Sequence, residues 1–412
     1  MSDTTQTRGH RGARAAGVAF LLLLGALLGI GAVALHHRFF PYSRLYSAMR
    51  HSPGPEIHDA APGPWGDLEY TTVTLEIPRV WTSLDAYTGT PTRWFFGGMT
   101  PTQVAEALQA SGLTPPQIEI LLSSAEGSRE PPGTYLSPRD DLVLGLSAGS
   151  RSYIYSLLSQ FPENRDHRDP HRYLAENFNR WLGESSLAPA ILAALRQLAY
   201  QRGRIMLFSD TKLALAQTDV FTEKQKLIQL LSRQTTLMPI LRVSPDADVE
   251  RLARYWGARG REAEVQSLLE SLQRSPHGGM IDILYLLPGF VRDRLYTYPR
   301  KSVEPFPDCH YTSANFFNAE PDEKYADMQK VRAAVMSDYG LVTGDFQLGD
   351  LILLRDERSE VVHSCNYVAD DIVFTKNGTS RGRPWVLMHL QDVIDMYSVR
   401  GPVDLRVLRR LR

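Results

Sequence analysis

The chain has 412 residues, a formal net charge of −1, and an ordinary globular composition with 43% apolar and 22% charged residues. Because the charge is balanced and no basic stripe alternates with aromatic residues, the sequence argues against a nucleic-acid partner. Its two cysteines, Cys309 and Cys365, are too few for a disulfide framework or a cysteine-rich zinc site. From the length we expect two or three domains, and from the composition we expect no metal or cofactor. A single disulfide between Cys309 and Cys365 remains an alternative to two free cysteines.

An uncharged apolar segment lies near the N-terminus, from Ala15 to Leu35. A helix of about 20 apolar residues is long enough to span a bilayer. Arginines dominate the charges before it, so the positive-inside rule predicts a cytoplasmic tail over 1–14 and an extracytoplasmic body. We predict a single-pass cell-membrane protein with the lipid bilayer as partner. The alternative is a cleaved signal peptide, because Ala32-Val33-Ala34 fits the small-residue cleavage pattern.

The body begins after a linker of proline, glycine and polar residues, which we place over 36–66. A strand-like alternation follows from Tyr70 to Ile77. Helical patterns then dominate up to residue 296, and two Thr-Pro pairs, Thr100-Pro101 and Thr114-Pro115, have the residue preferences of helix starts. Further predicted helices are 149–160, 170–181, 189–200, 223–233, 246–256 and 261–273, with short strands at 204–208 and 238–243. The sequence predicts a helix-rich α+β domain over 67–296 with no visible chemistry.

The pattern changes at a proline-containing stretch between Tyr296 and Pro307, which indicates an extended connection. Beyond it the sequence predicts a short helix with Cys309 and a longer helix over 323–338. Strands follow at 350–355, 360–368 and 371–375, then a strand-like WVLMHL and a closing helix. A helical part followed by a small antiparallel sheet is an α+β arrangement, which we assign to a second domain over 297–412.

Three residues in this region carry the chemistry. Cys309 follows Asp308 at a predicted helix start, where the helix dipole favours the thiolate. His363 lies on a predicted strand and would accept the thiol proton and return it to a leaving amine. Asn377 precedes a glycine in a tight turn, where its amide would orient the imidazole. Each alone is more often structural, but together and in this order they predict a thiol catalytic site.

Residues from about 300 to 400 resemble the NlpC-like branch of papain-like cysteine peptidases. The matching positions are Asp308-Cys309, Gly349-Asp350, His363 and Tyr367. The resemblance implies a papain-like domain with Cys309 as nucleophile and His363 as base. It also implies a third polar residue on the next strand, for which Thr375 and Asn377 are the candidates, and we prefer Asn377 for its amide.

The activity implied is that of a thiol-protease-type hydrolase of the cell envelope, acting on an amide bond in peptidoglycan peptide. The chain departs from the family at His310-Tyr311, where a Ser-Gly pair is common, and at Ser364-Cys365 after the histidine. We expect Cys365 to pack in the core. We expect no catalytic role for His310, because neighbours on a helix point about 100° apart. A catalytically silent binding or scaffolding protein and a thiol acyltransferase stay open as alternatives.

Overall fold

The computed structural model describes residues 56–82, 84, 92–300 and 307–411. The predicted tail, membrane segment and most of the predicted linker lie outside these residues. From Ile57 onward the described chain forms one compact unit. Among the helices described there, none combines the length and hydropathy needed to cross a bilayer.

We number the α-helices of the described part in chain order. They are α1 (Pro101–Ala110), α2 (Pro115–Leu122), α3 (Asp140–Gly145), α4 (Ala148–Leu158), α5 (Arg165–Arg168), α6 (Ala175–Gly183), α7 (Pro189–Leu198), α8 (Thr211–Leu215), α9 (Phe221–Ser232), α10 (Val249–Trp256), α11 (Glu262–Gln273), α12 (Gly289–Arg292), α13 (Cys309–Ala314), α14 (Met328–Asp338) and α15 (Leu390–Tyr397). Short 3-10 helices cover Arg79–Trp81, Ile283–Leu286 and Glu323–Ala326.

The strands are distributed over four small sheets. They are β1 (Ile57–Asp59), β2 (Asp67–Leu75), β3 (Trp94–Gly97), β4 (Glu126–Arg129), β5 (Pro132–Leu136), β6 (His171–Leu174), β7 (Tyr200–Arg202), β8 (Ile205–Phe208), β9 (Gln234–Val243), β10 (Gly279–Asp282), β11 (Tyr339–Leu341), β12 (Leu351–Arg355), β13 (Val361–Ala369), β14 (Ile372–Lys376), β15 (Trp385–His389) and β16 (Asp404–Arg410). The sheet orders are β1-β2-β9-β10, β3-β5-β4, β6-β8-β7 and β11-β16-β12-β13-β14-β15. The mixed α+β class is confirmed.

The helix-rich part follows the sequence closely where local signals are strong. At the start of α1, Thr100 accepts a hydrogen bond from the Gln103 backbone while the Gln103 side chain accepts one from the Thr100 backbone, and α2 begins with the same capping box. The prediction of one helix from Pro170 to Trp181 is wrong. Its first half is β6, paired antiparallel with β8, and α6 begins only at Ala175. Pairing across the sheet overrides the local helical pattern there.

The two predicted domains share one apolar core. The strands β9 and β15 pack together, and the buried Thr236 hydroxyl accepts a hydrogen bond from the Leu387 N–H at 2.9 Å. The backbone on either side of residue 296 also pairs with β15, since Tyr296 N–H donates to the Trp385 carbonyl and Trp385 N–H donates to the Thr297 carbonyl. The boundary between 67–296 and 297–412 stays a prediction, and packing is continuous across it.

Candidate thiol site

The nucleophile candidate is the first residue of α13. Asp308 caps this helix, because its carboxylate accepts the Tyr311 N–H at 2.7 Å. Further along the helix, Thr312 is fully buried and its hydroxyl accepts a hydrogen bond from the Trp385 indole at 3.0 Å. The helix therefore fixes Cys309, of which only 9% is exposed, at a defined place beside β13 and β14.

A chain of hydrogen bonds orients the imidazole of His363. The ring is fully buried on β13, and its Nε2 lies 2.8 Å from the Thr375 hydroxyl oxygen. Thr375 in turn donates to the Asn377 amide oxygen at 3.3 Å, and the Asn377 amide nitrogen faces the Met388 sulfur at 3.0 Å. Because the hydroxyl proton is directed to Asn377, Thr375 accepts from Nε2–H, which leaves the other ring nitrogen as the basic one.

That nitrogen, Nδ1 of His363, is buried and makes no conventional hydrogen bond within the described part of the chain. The same imidazole interacts with the Cys309 thiol, and this interaction is one cause of the low pKa of the thiol. A buried nitrogen of this kind carries a free-energy cost unless it has a partner, and a free imidazole nitrogen on a residue that interacts with the thiol is what a general base requires.

A second imidazole also faces the sulfur. His310 makes a hydrogen bond through Nδ1 to the Ser364 hydroxyl at 2.9 Å, and its side chain also bonds to Cys309. The angle between helix neighbours does not keep His310 away from the thiol, while the absence of a catalytic role for His310 stays a prediction. Ser364 holds the ring in place from the neighbouring strand, and this contact joins residues that are 54 positions apart.

These contacts set the charge state of the thiol. Burial raises the pKa of Cys309, but the charges of His310 and His363 and their hydrogen bonds outweigh it and lower the pKa to about 5. Burial lowers the pKa of His310, but the Cys309 charge, its hydrogen bond and Asp308 together raise that pKa to about 9. Both shifts favour the charged forms, so the site favours a thiolate paired with the His310 imidazolium.

The third predicted site residue is one step from the imidazole. Asn377 is almost completely buried and contacts Thr375, while Thr375 itself touches His363. Thr375 is therefore the residue that orients the imidazole directly. A catalytic role of Asn377 stays a prediction, and Asn377 would act on His363 through the Thr375 hydroxyl. Cys365 packs in the core as expected, and both cysteines are free thiols. Burial raises the pKa of Cys365 far above its ordinary value, with a further contribution from Cys309.

The Gly-Asp pair of the resemblance has a structural role. Gly349 has φ +84°, and a Cβ there would lie 2.2 Å from the Phe317 ring, so only glycine fits. Asp350 accepts two hydrogen bonds from the Arg409 guanidinium at 2.8 and 2.7 Å, and it accepts the Gln347 N–H at 2.8 Å. These bonds fix the entry into β12 and involve none of the thiol-site residues.

The departure at Tyr311 is accommodated outside the site. Its ring is buried against Phe290, and its hydroxyl donates to Glu323 at 3.0 Å. The sequence did not indicate a further residue at the site, Tyr397. It lies at the end of α15, and its ring stacks on His363 with a centroid separation of 4.0 Å and an interplanar angle of 18°. No pattern in the sequence connects these two residues. No group of histidine, cysteine and carboxylate side chains in the described ranges is arranged to hold a metal ion.

No family model, no curated protein and no solved structure matches the chain. The NlpC-like resemblance thus stays a prediction that rests on the order of the residues in the sequence.

Proposed function

We propose that the chain is a membrane-anchored, exported thiol hydrolase that cuts an amide bond, with Cys309 as nucleophile and His363 as base. The observation that carries the proposal is a buried thiol at a helix start that interacts with two imidazoles, one of them oriented by Thr375. The fold we propose for residues 297–412 is papain-like, and cell-wall peptide is the substrate class that the NlpC-like resemblance implies. The anchor proposal rests on the apolar segment at 15–35.

In the first half-reaction the thiolate attacks the amide carbonyl carbon and forms a carbon–sulfur bond. The backbone N–H of Cys309 lies in the first turn of α13, where helices leave N–H groups without an intrahelical acceptor, and it would donate to the developing oxyanion. As the intermediate collapses, the carbon–nitrogen bond breaks and an imidazolium protonates the leaving amine. In the resting site this proton is on His310, because Nδ1 of His363 is the unprotonated nitrogen.

In the second half-reaction, water attacks the thioester. His363 removes the water proton through Nδ1, the carbon–sulfur bond breaks, and the thiolate leaves as the acid is released. Transfer of this proton from His363 to His310 restores the resting thiolate–imidazolium pair. An amine in place of water would make the same site an acyltransferase. Product analysis with and without an added amine separates the two outcomes.

A second candidate is a catalytically silent binding protein, favoured by the small exposed fraction of Cys309, 9%. Alkylation with iodoacetamide distinguishes it from an enzyme. At pH 6 a thiol of pKa about 5 is about 900-fold more ionised than one of pKa 9, while its lower basicity makes the thiolate about 40- to 100-fold less nucleophilic. Cys309 should therefore react about tenfold faster than an ordinary cysteine peptide at this pH.

The measurement uses the full chain in detergent micelles, with mass spectrometry of the two cysteine peptides. Cys365 is the internal control and should remain unmodified because it is fully buried and its pKa is raised. A Cys309 that reacts no faster than the free peptide would argue against the enzyme. Reactive Cys309 together with release of amine from cell-wall peptide, absent in Cys309→Ala, supports the hydrolase.

A further inference from the structure

A cavity of about 440 Å³ lies where α10, the turn before β12 and the end of β16 meet. None of the thiol-site residues lines it, and its volume is in the range of small-molecule sites. Five arginines and two aspartates are among the residues of its wall, so we call it the arginine cavity. This local excess of positive charge contrasts with the formal net charge of −1 of the whole chain and favours an anionic ligand.

Two of the arginines lie on one face of α10. Arg251 and Arg254 are three positions apart and Tyr255 follows, so the three side chains are neighbours on the helix surface. Within the described ranges Arg251 forms no ion pair, and Arg254 forms one, with Glu250 at 3.9 Å. Both partners of that pair are mostly exposed, at 61% and 77%, so the pair contributes little to stability. Both guanidinium groups therefore remain available to a ligand.

The loop after α10 holds a third arginine at the cavity wall. Arg259 has φ +67°, a left-handed conformation that is rare for arginine. Its Nη2 donates to the Arg410 carbonyl, and its guanidinium lies 5.5 Å from the centroid of the Phe317 ring. Backbone strain of this kind persists only where the surrounding structure holds it, and these two contacts keep a cation at this place.

The charges of the cavity wall do not balance. Arg409 and Asp350 offset each other, because the guanidinium donates two hydrogen bonds to the carboxylate at 2.8 and 2.7 Å. One carboxylate, Asp345, is then left among four arginines. Those four are Arg251, Arg254, Arg259 and Arg410. Four like charges around one cavity repel each other, and an anion bound among them would remove that repulsion.

A phosphate monoester fits this arrangement better than a carboxylate. It carries up to two negative charges and three acceptor oxygens, so it can bond to several guanidinium groups that come from different elements, whereas a carboxylate offers two oxygens in one plane. The rings of Tyr255, Phe317 and Phe346 also line the cavity and give an apolar surface for an organic group.

We propose that the arginine cavity binds a phosphate monoester carried on an organic group, which is either a small soluble ester or the headgroup of a phospholipid. The site is separate from the thiol, so this inference does not rest on the proposed hydrolase function.

The test uses two probes that share one phosphate monoester, glycerol 3-phosphate and dioctanoyl phosphatidic acid, with the full chain in micelles of an uncharged detergent. Binding of glycerol 3-phosphate is measured by isothermal titration calorimetry, with inorganic phosphate as the comparison. Bound phosphatidic acid is counted by native mass spectrometry, with dioctanoyl phosphatidylcholine as the comparison. We expect at least one ester to bind at one site per chain and about tenfold better than its comparison. Binding of both esters indicates a soluble ligand, and binding of phosphatidic acid alone indicates a lipid headgroup.

Arg251→Gln and Arg410→Gln should each weaken the bound ester about tenfold and leave alkylation at Cys309 unchanged. The bond from Arg259 uses the Arg410 backbone, so Arg410→Gln leaves it in place. Arg196→Gln is the matched control, because Arg196 is exposed on α7 and does not line the cavity.

Three results would overturn the inference. They are the absence of saturable binding by both esters, binding that is equal in the two cavity variants and in Arg196→Gln, and inorganic phosphate that binds as tightly as glycerol 3-phosphate. The last result would show that the organic group makes no contact with the cavity.

Discussion

The molecule contains two buried polar clusters that differ in how their groups are paired. In the helix-rich region, the fully buried Arg151 donates to Asp210 at 3.2 Å and to the Val143 carbonyl at 2.8 Å, and the Tyr155 hydroxyl donates to Asp210 at 2.8 Å. Burial raises the pKa of Asp210 to about 6, against the opposing effect of Arg151. In this cluster the Asp210 carboxylate is paired with the Arg151 guanidinium, and both side chains are buried away from solvent.

The thiol site has the opposite character. Its anion, the Cys309 thiolate, lies at a helix start beside two imidazoles, and Nδ1 of His363 makes no conventional hydrogen bond within the described chain. An ion pair buried among hydrogen bonds stabilises one structure, while a nucleophile at a helix start beside imidazoles is prepared for a reaction. We therefore expect substitutions in the first cluster to change stability and substitutions in the second to change reactivity.

The largest effect should come from Cys309→Ala. Without the sulfur no acyl-enzyme forms, so turnover should fall at least about 10³-fold, measured as amine release from cell-wall peptide. Alanine at this position leaves the Asp308 cap in place, and the thermal unfolding midpoint should stay close to that of the parent. Residual turnover near the parent level would show that another residue is the nucleophile.

Asp210→Ala should give the reverse pattern. Loss of the carboxylate leaves Arg151 buried without its ion-pair partner, so the free energy of unfolding should fall by about 3–5 kcal/mol, measured by urea denaturation. At a temperature where the variant is folded, alkylation at Cys309 should match the parent. A loss of thiol reactivity in fully folded Asp210→Ala would contradict the division between the two clusters.

Thr375→Val tests the hydrogen-bond chain behind His363. Valine keeps the shape but cannot accept the Nε2–H, so the tautomer with a basic Nδ1 is no longer selected and kcat should fall about 10- to 100-fold. Thr375→Ser is the conservative control, because it restores the hydroxyl and should recover most of the activity. Equal activity in the valine and serine variants would show that Thr375 is only a packing residue.

The smallest effect concerns the pH dependence of alkylation. In the parent the thiolate is present above its pKa of about 5, so the rate should rise with pH through that value and then level off. His310→Asn removes the imidazolium charge that lowers this pKa, so the midpoint should move upward toward the ordinary value and the rate at pH 6 should fall. An unchanged midpoint would mean that His363 alone ionises the thiol.

Local signals made part of this molecule predictable. The Thr-Pro capping boxes and the Asp308 cap act within one helix turn, so the sequence predicted α1, α2 and the placement of Cys309 correctly. The choice between Thr375 and Asn377 depends on the register between β13 and β14, which shifts between Tyr367 and Ala369. Because side chains two positions apart share a face of a strand, alternation alone does not choose between Thr375 and Asn377, and the sequence contains no signal for the register that does.

Other features required contacts between distant residues. The hydrogen bond from His310 to Ser364 and the stack of Tyr397 on His363 depend on tertiary packing. Arg172 was assigned to a helix, whereas pairing with β8 makes it part of a strand and directs it to Tyr397. Physical rules that act over a few residues cannot supply these placements.

The contact between Thr236 and Leu387 has a practical consequence. The strand β15 is at the edge of the six-stranded sheet, and Thr236 covers its backbone by accepting from the Leu387 N–H and donating to the Leu387 carbonyl. A fragment that begins at residue 297 would lose the Thr236 and Tyr296 contacts to this edge and expose its backbone at Leu387 as a template for pairing with other copies. Insolubility of such a truncated polypeptide would thus reflect a missing cover, and would say nothing about whether the thiol can react.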